Sequence, residues 1–245
     1  MSNGWNVGVG MAGTGIVLPL VETPMGNRAP DPAGHATAFF ISATGIFVTA
    51  KHVMDGRAYR DALVVVTIWA DGVRFNPVID IASDEHSDIA LGVCALEPQP
   101  RLRPWVLSRE ALAPGSRVAA FGFPHNHTAV RGSEADLEMK LRMHPDYHDG
   151  EVLDHHPNGV TLVKEPAYST SISPQHGMPD LGGVSGGPMI SLTTGNVHGM
   201  LSTSGAGYSV CCDIRPILER TIEINDCAIR LGDADRVAPG LFQIV

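Results

Sequence analysis

Short apolar runs separated by turn residues recur along the chain. Thr14–Val21, Thr37–Ser42, Gly45–Thr49, Ala62–Ala70 and Ile89–Ala95 are rich in β-branched and apolar residues, which predicts strands. Several are almost continuously apolar, as expected of strands buried in a barrel or sandwich core. The pattern breaks over Glu97–Ser116, which holds Pro98, Pro100, Pro104 and Pro114, and an inter-barrel linker is expected there. A second strand series follows at Arg117–Phe123, Leu137–Met143, Gly159–Lys164, Thr170–Ser173, Pro188–Leu192, Val197–Ser202 and Tyr208–Cys212. Helical pattern is concentrated near the end, where Asp213 is placed to cap a helix over Ile214–Ile222 and Pro216 falls in its first turn. Many short strands and one terminal helix predict an all-β architecture of barrels or a sandwich.

Length and composition narrow the picture. A chain of 245 residues suffices for one large β domain or two small barrels, and 44% hydrophobic against 18% charged residues is a globular composition. The formal net charge is −9 and no run of Lys or Arg forms a stripe, which argues against a nucleic-acid partner. Cys94, Cys211, Cys212 and Cys227 show neither metal-ligand spacing nor a disulfide framework. Buried free thiols in a reducing compartment are expected. The start lacks the basic and apolar regions of a signal peptide, and the longest uncharged apolar stretch, Ala36–Ala50, is too short to cross a bilayer. No membrane association and a cytoplasmic location are the expectations.

Three local motifs carry chemistry. Thr49-Ala50-Lys51-His52-Val53 follows an apolar strand, Ser87-Asp88-Ile89-Ala90-Leu91 opens another, and Gly182-Gly183-Val184-Ser185-Gly186-Gly187-Pro188 is a glycine-rich turn around a serine. A serine hydroxyl is a weak nucleophile and needs an adjacent base. Imidazole suits that task because it titrates near neutrality. A buried carboxylate on the other ring nitrogen fixes the tautomer and stabilises the cation that forms. Glycines around the serine let backbone N–H groups converge on an oxyanion, here those of Gly183 and Ser185.

The order His52, Asp88, Ser185, in these three motifs, resembles the chymotrypsin-like (trypsin-like) serine protease family over roughly Gly34 to Ile222. The resemblance implies two six-stranded antiparallel β-barrels with the catalytic groups in the cleft between them. Residues 1–110 would form the N-terminal barrel carrying His52 and Asp88. Residues 111–245 would form the C-terminal barrel carrying Ser185, with the terminal helix and a tail. It also implies that Ser202, Thr203 and Ser204 pair with the substrate backbone by adding a strand, and that Ser202 lies beside Asp88. By the spacing of that family, the resemblance further implies that Asp180 falls near the base of the primary specificity pocket and binds substrate there. Val184 stands where the secreted digestive branch has an Asp, the Ile-Val-Gly-Gly start is missing, and no cysteine flanks His52 or Ser185. Zymogen activation of that kind is not expected, and the chain is similar in these respects to the intracellular, disulfide-free bacterial relatives of HtrA type.

The expected activity is therefore serine endopeptidase hydrolysis of a polypeptide substrate, with no cofactor and no metal. The long segment from Pro124 to Leu181 carries His144 and His148 four residues apart, but Pro145 and the β pattern argue against the helix that would bring them onto one metal. Solvated loops or a substrate-gating insertion are expected there. Gly183-Val184-Ser185-Gly186-Gly187 also fits the nucleophile elbow of α/β-hydrolases, but that fold needs an acid and then a histidine after the serine, and no Asp or Glu lies between Ser185 and His198. A different class is a catalytically silent protease-like binding scaffold, or an enzyme gated by a regulatory protein partner.

Overall fold

The computed structural model describes residues 7–22, 28–30, 35–53, 63–69, 72–83, 87–96, 102–125, 127–131, 138–161, 163–174, 180–205, 207–224, 227–237, 240 and 242–245. A short helix α1 (Val7–Gly13) leads into β1 (Thr14–Glu22), β2 (Arg28–Pro30), β3 (Ala36–Phe40), β4 (Ile46–Ala50), β5 (Leu63–Trp69), β6 (Gly72–Ser83) and β7 (Ile89–Cys94). The strands run in the order β1-β3-β4-β7-β6-β5, and β1 pairs again with β5, which closes a six-stranded barrel with β2 as an outer strand on β1. Ile16 lies opposite Thr37 on one side and Val66 on the other. The continuous apolar runs of β3 and β4 are buried at every position, as their pattern predicts.

The second half contributes β8 (Arg117–Gly122), β9 (His127–Arg131), β10 (Glu138–Arg142), β11 (Asp146–His156), β12 (Ala167–Thr170), β13 (Pro188–Ser191), β14 (Val197–Gly205) and β15 (Tyr208–Asp213). Six of these close a second barrel in the order β11-β12-β15-β14-β13-β8, while β9 and β10 form a hairpin of their own. The chain ends with α2 (Arg215–Leu218), the hairpin β16 (Thr221–Ile224) and β17 (Cys227–Arg230), and α3 (Ala234–Val237). The architecture is the expected all-β double barrel.

Most expected strands appear within a few residues of their sequence boundaries, with Ala62, Ala70, Leu137 and residues 97–101 of the linker outside the described residues. Four elements differ. β6 is not among the expected strands, and Asn76 and Pro77 sit in its middle, yet Asn76 is buried and its amide donates to the Val65 carbonyl at 2.8 Å and to Thr67 Oγ1 at 3.0 Å. The histidine-rich stretch is not all loop or insertion, since β11 runs through it as a wall of the second barrel and buries His148 completely. The helix expected over Ile214–Ile222 is a single turn, because the chain turns out of it into β16 at Thr221. Asp213 still works at its start, accepting the Arg215 N–H at 2.9 Å. Of the strand expected at Gly159–Lys164, only the Val160–Val163 bridge forms.

One apolar core joins the two barrels. Phe39, Val48 and Ala50 of the first cluster with Phe121, Phe123 and Met200 of the second, with Trp105 and Leu107 from the linker, and with Phe242 and Ile244 from the tail. The tail lies beyond the family resemblance, and the sequence offers no argument for its place. It runs parallel to the linker: Leu107 N–H donates to the Gln243 carbonyl at 2.9 Å and Val245 N–H to the Leu107 carbonyl at 2.8 Å. The other edge of the linker pairs with Val197. The linker thus becomes the middle of a three-stranded seam. Ile244→Ala should destabilise the protein by about 2–4 kcal/mol, the usual cost of truncating a buried aliphatic side chain. Gln243→Ala, at an exposed position, should change it by under ~0.5 kcal/mol. Chemical denaturation of the two variants measures the difference.

Candidate active site

His52 sits in a single 3-10 turn, Lys51–Val53, where the chain leaves β4. Asp88 sits one residue before β7, the strand that pairs with β4 in register Ala50 to Ile89. The pairing brings the two residues together although 36 positions separate them. Lys51 N–H donates to the Asp88 carbonyl at 2.6 Å, and Ile89 N–H is capped by Ser87 Oγ at 2.9 Å. The Asp88 carboxylate accepts the His52 backbone N–H at 2.9 Å and faces the ring Nδ1 at 3.0 and 2.9 Å from its two oxygens. A carboxylate only accepts, so Nδ1 carries the proton and Nε2 keeps its lone pair. The histidine side chain is half exposed and the aspartate is 14% exposed.

Burial by itself would raise the Asp88 carboxyl, but the hydrogen bonds from His52 and Ser202, and the His52 charge, outweigh it and hold it below its ordinary 3.8. Ser202 comes from the other barrel. Its hydroxyl donates to Asp88 Oδ2, and its carbonyl accepts Ser185 Oγ at 3.1 Å. One residue of β14 therefore touches both the carboxylate of the first barrel and the hydroxyl of the Ser185 loop. A bulge between Leu201 and Thr203 lifts Ser202 out of the ladder with β15 and frees it for this contact. Beyond Leu201, β14 also outruns its other neighbour β13, whose pairing ends at Met200. Thr203 and Ser204 thus lie on a strand edge that no described strand covers.

The Ser185 loop is seated on β3. Thr37 N–H donates to the Ser185 carbonyl at 2.9 Å, and Thr37 Oγ1 donates to the Gly183 carbonyl at 2.8 Å while accepting the Phe123 N–H at 3.2 Å. Gly186 adopts φ +87°, and a Cβ there would stand 2.1 Å from the Thr37 carbonyl oxygen, so only glycine lets the loop approach this closely. Gly183, at φ +92°, turns the loop so that its own N–H and that of Ser185 stay out of every described hydrogen bond. Val184 is fully buried among Leu181, Ile172, Met189 and Leu201.

Asp180 is largely exposed. Its carboxylate accepts the Gly182 N–H at 2.7 Å and lies 3.3 Å from His125 Nε2, while its neighbour Pro179 lies outside the described residues. His35 lies against Gly183, where a Cβ would stand 2.8 Å from the His35 Nε2. Burial first, and the nearby His125 second, push its imidazole below its ordinary 6.5. Thr37, His35 and His125 are parts of the site that the sequence reading missed. Their partners lie up to 146 positions away, and no local spacing announces such contacts.

Residues 36–200 match the family model of the trypsin-like peptidase domain. The chain belongs to the trypsin-like peptidase family. Solved structures similar to this trypsin-like peptidase domain include the HtrA-type protease AlgW, a mutant form with a tripeptide. It is 17% identical with a TM-score of 0.58, over 89% of this chain and 62% of that one. Rv3671c from M. tuberculosis H37Rv, a serine-to-alanine mutant in an inactive form, is also 17% identical, with a TM-score of 0.52 over 85% and 84% of the two chains. At that identity the likeness is one of fold. The peptidase domain spans 62% of the AlgW chain. Comparison with curated proteins finds no match.

The Ser202 hydroxyl should be visible in the titration of Asp88. A hydrogen bond to a charged group contributes about 1.5–3 kcal/mol, and each pKa unit is about 1.4 kcal/mol. Ser202→Ala should therefore raise the Asp88 carboxyl by about one to two units, measured by carbon NMR of a labelled aspartate. An unmoved titration would mean that the hydroxyl does not stabilise the carboxylate.

Proposed function

We propose that this protein is a serine endopeptidase whose triad is Ser185, His52 and Asp88. One observation carries the reading: Ser202 holds the Asp88 carboxylate with its hydroxyl and the Ser185 hydroxyl with its carbonyl, so that groups of both barrels meet at one point. The Nδ1–Asp88 contact leaves His52 Nε2 as a base. In an enzyme without substrate the nucleophile hydroxyl is often not yet aimed at its base. Substrate entry turns Ser185 Oγ from the Ser202 carbonyl to His52.

Ser185 Oγ then attacks the peptide carbonyl carbon while its proton passes to His52 Nε2. Asp88 stabilises the imidazolium. The oxyanion is met by the N–H groups of Gly183 and Ser185, which no other described group uses. The tetrahedral species collapses as His52 returns the proton to the leaving amine, and the acyl group stays on Ser185. Water, deprotonated by His52, releases the acid and regenerates the serine. The substrate backbone lies along the uncovered edge at Thr203 and Ser204. Three buried thiols, Cys94, Cys211 and Cys212, support a reducing compartment as the working location.

Ser185→Ala should lower kcat by about 10⁶ if the triad acts as a unit, with casein or a peptide drawn from it as substrate. A fluorophosphonate should label Ser185, and His52→Ala should suppress the adduct. A protein that neither cleaves nor labels is the silent scaffold instead. Activity should also fall in mild acid, as His52 takes a proton and can no longer accept one from Ser185. Asp88, held below the ordinary carboxyl range, stays ionised through that fall. A pH profile of kcat/KM should therefore show a single acid limb there.

A further inference from the structure

The nucleophile loop is gripped from outside by two residues to which the hydrolytic steps above give no part. Among the described residues, His125 is the non-glycine residue with positive φ, at +50°. That conformation is sparsely populated for a residue with a Cβ and persists only where the surroundings impose it. Here it aims the His125 N–H at the Gly182 carbonyl, 2.8 Å away. The ring Nε2 of the same residue lies 3.1 Å from the Asp180 carbonyl oxygen and 3.3 Å from its carboxylate. That carboxylate in turn accepts the Gly182 N–H at 2.7 Å. Gly182 is thus held at its N–H and at its carbonyl by one coupled pair, His125 and Asp180.

The grip has a consequence one bond further on. In a trans peptide the C=O and N–H point in opposite directions. Tying the Gly182 carbonyl to the turn at Phe123–His125 therefore turns the Gly183 N–H away from that turn. Gly182 and Gly183 have no side chains to resist rotation of the peptide between them. Rotation would present a carbonyl oxygen where an N–H donor belongs, and an oxyanion would meet repulsion instead of a hydrogen bond.

We propose that His125 is a positioning residue that, with Asp180, keeps the Gly182–Gly183 peptide oriented so that Gly183 N–H stands beside Ser185 N–H. This rests on the reading of Ser185 as the acyl-transfer nucleophile. It gives Asp180 work in shaping the loop rather than in choosing the substrate side chain. Both side chains are substantially exposed, 35% and 64%, so the pair contributes little to global stability. Its effect is on geometry.

The test compares wild type, His125→Ala, His125→Gly and Asp180→Ala on a fluorogenic peptide taken from a casein cleavage site. A peptide aldehyde of the same sequence serves as the second probe, because its hemiacetal oxygen occupies the oxyanion position. His125→Gly relaxes the backbone but removes the ring, and so isolates the side chain. The expected result is a drop in kcat of about 10- to 100-fold, below the full loss of an oxyanion donor, with KM within about threefold. Aldehyde affinity should fall by the same factor, and the melting temperature should move by less than ~2 °C. The double variant His125→Ala/Asp180→Ala should be no worse than the poorer single variant, since both act on one peptide. The proposal is overturned if His125→Gly keeps kcat within twofold of wild type, if the loss falls on KM alone, or if the two substitutions multiply. If wild type itself neither cleaves the peptide nor binds the aldehyde, the nucleophile assignment fails and takes this proposal with it.

Discussion

A carboxylate shared between two barrels is the constraint on which the site depends. Asp88 belongs to the first barrel, yet one of its hydrogen-bond donors, the Ser202 hydroxyl, belongs to the second. Burial alone would favour a neutral acid there, and the His52 and Ser202 donors reverse that preference. Donors from both barrels thus combine to hold the carboxyl low. Cys212, next on this side of the core, keeps its proton, because burial first and the Asp88 charge second raise its thiol well above its ordinary value.

Docking in register is enforced by contacts that tolerate little error. The Thr37 main chain and hydroxyl bind two residues of the Ser185 loop, while the Thr37 carbonyl accepts the Thr49 hydroxyl at 2.8 Å within its own barrel. Gly186 closes against the same carbonyl at a distance no side chain allows. Behind this polar seam lies the apolar core common to both barrels, into which linker and tail insert Trp105, Leu107, Phe242 and Ile244. A buried core of that extent supplies non-directional attraction, and the hydrogen bonds at Thr37 and Ser202 select the arrangement in which Ser202 meets both Asp88 and Ser185.

Away from the cleft, the second barrel holds an ionic cluster built from residues that look like surface charges in the sequence. Asp213 is 1% exposed. It is bound by the Arg215 guanidinium Nε at 3.1 and 3.0 Å and faces His155 Nε2 at 3.2 Å, with the His155 ring against Tyr168 at 4.7 Å between centroids. A buried carboxylate persists only with partners of this kind. The histidine-rich stretch thereby acquires a structural part: His155 belongs to this cluster, and His156 Nε2 meets Ser169 Oγ at 2.7 Å.

What the sequence by itself determined were the features written locally. Apolar runs such as Ala36–Phe40 and Ile46–Ala50 announce buried strands because each residue's preference adds along a few positions. The three motifs around His52, Asp88 and Ser185 are equally local, each a strand end or a turn whose residue types the chemistry dictates. The family and the double barrel follow from these. The tertiary structure alone decided what depends on partners outside the local pattern: β6, whose Asn76 finds its acceptors on the neighbouring strand β5; β11, whose His155 and His156 meet Asp213 and Ser169; the tail, whose seat on the linker has no signature; and the grip of Thr37, His125 and Asp180 on the Ser185 loop. The physical reason is the same in each case. A group takes its role from the partner that folding brings to it, a donor or acceptor for a polar side chain such as Asn76 and the linker main chain and apolar core for the tail, and no pattern of neighbours along the chain encodes that meeting.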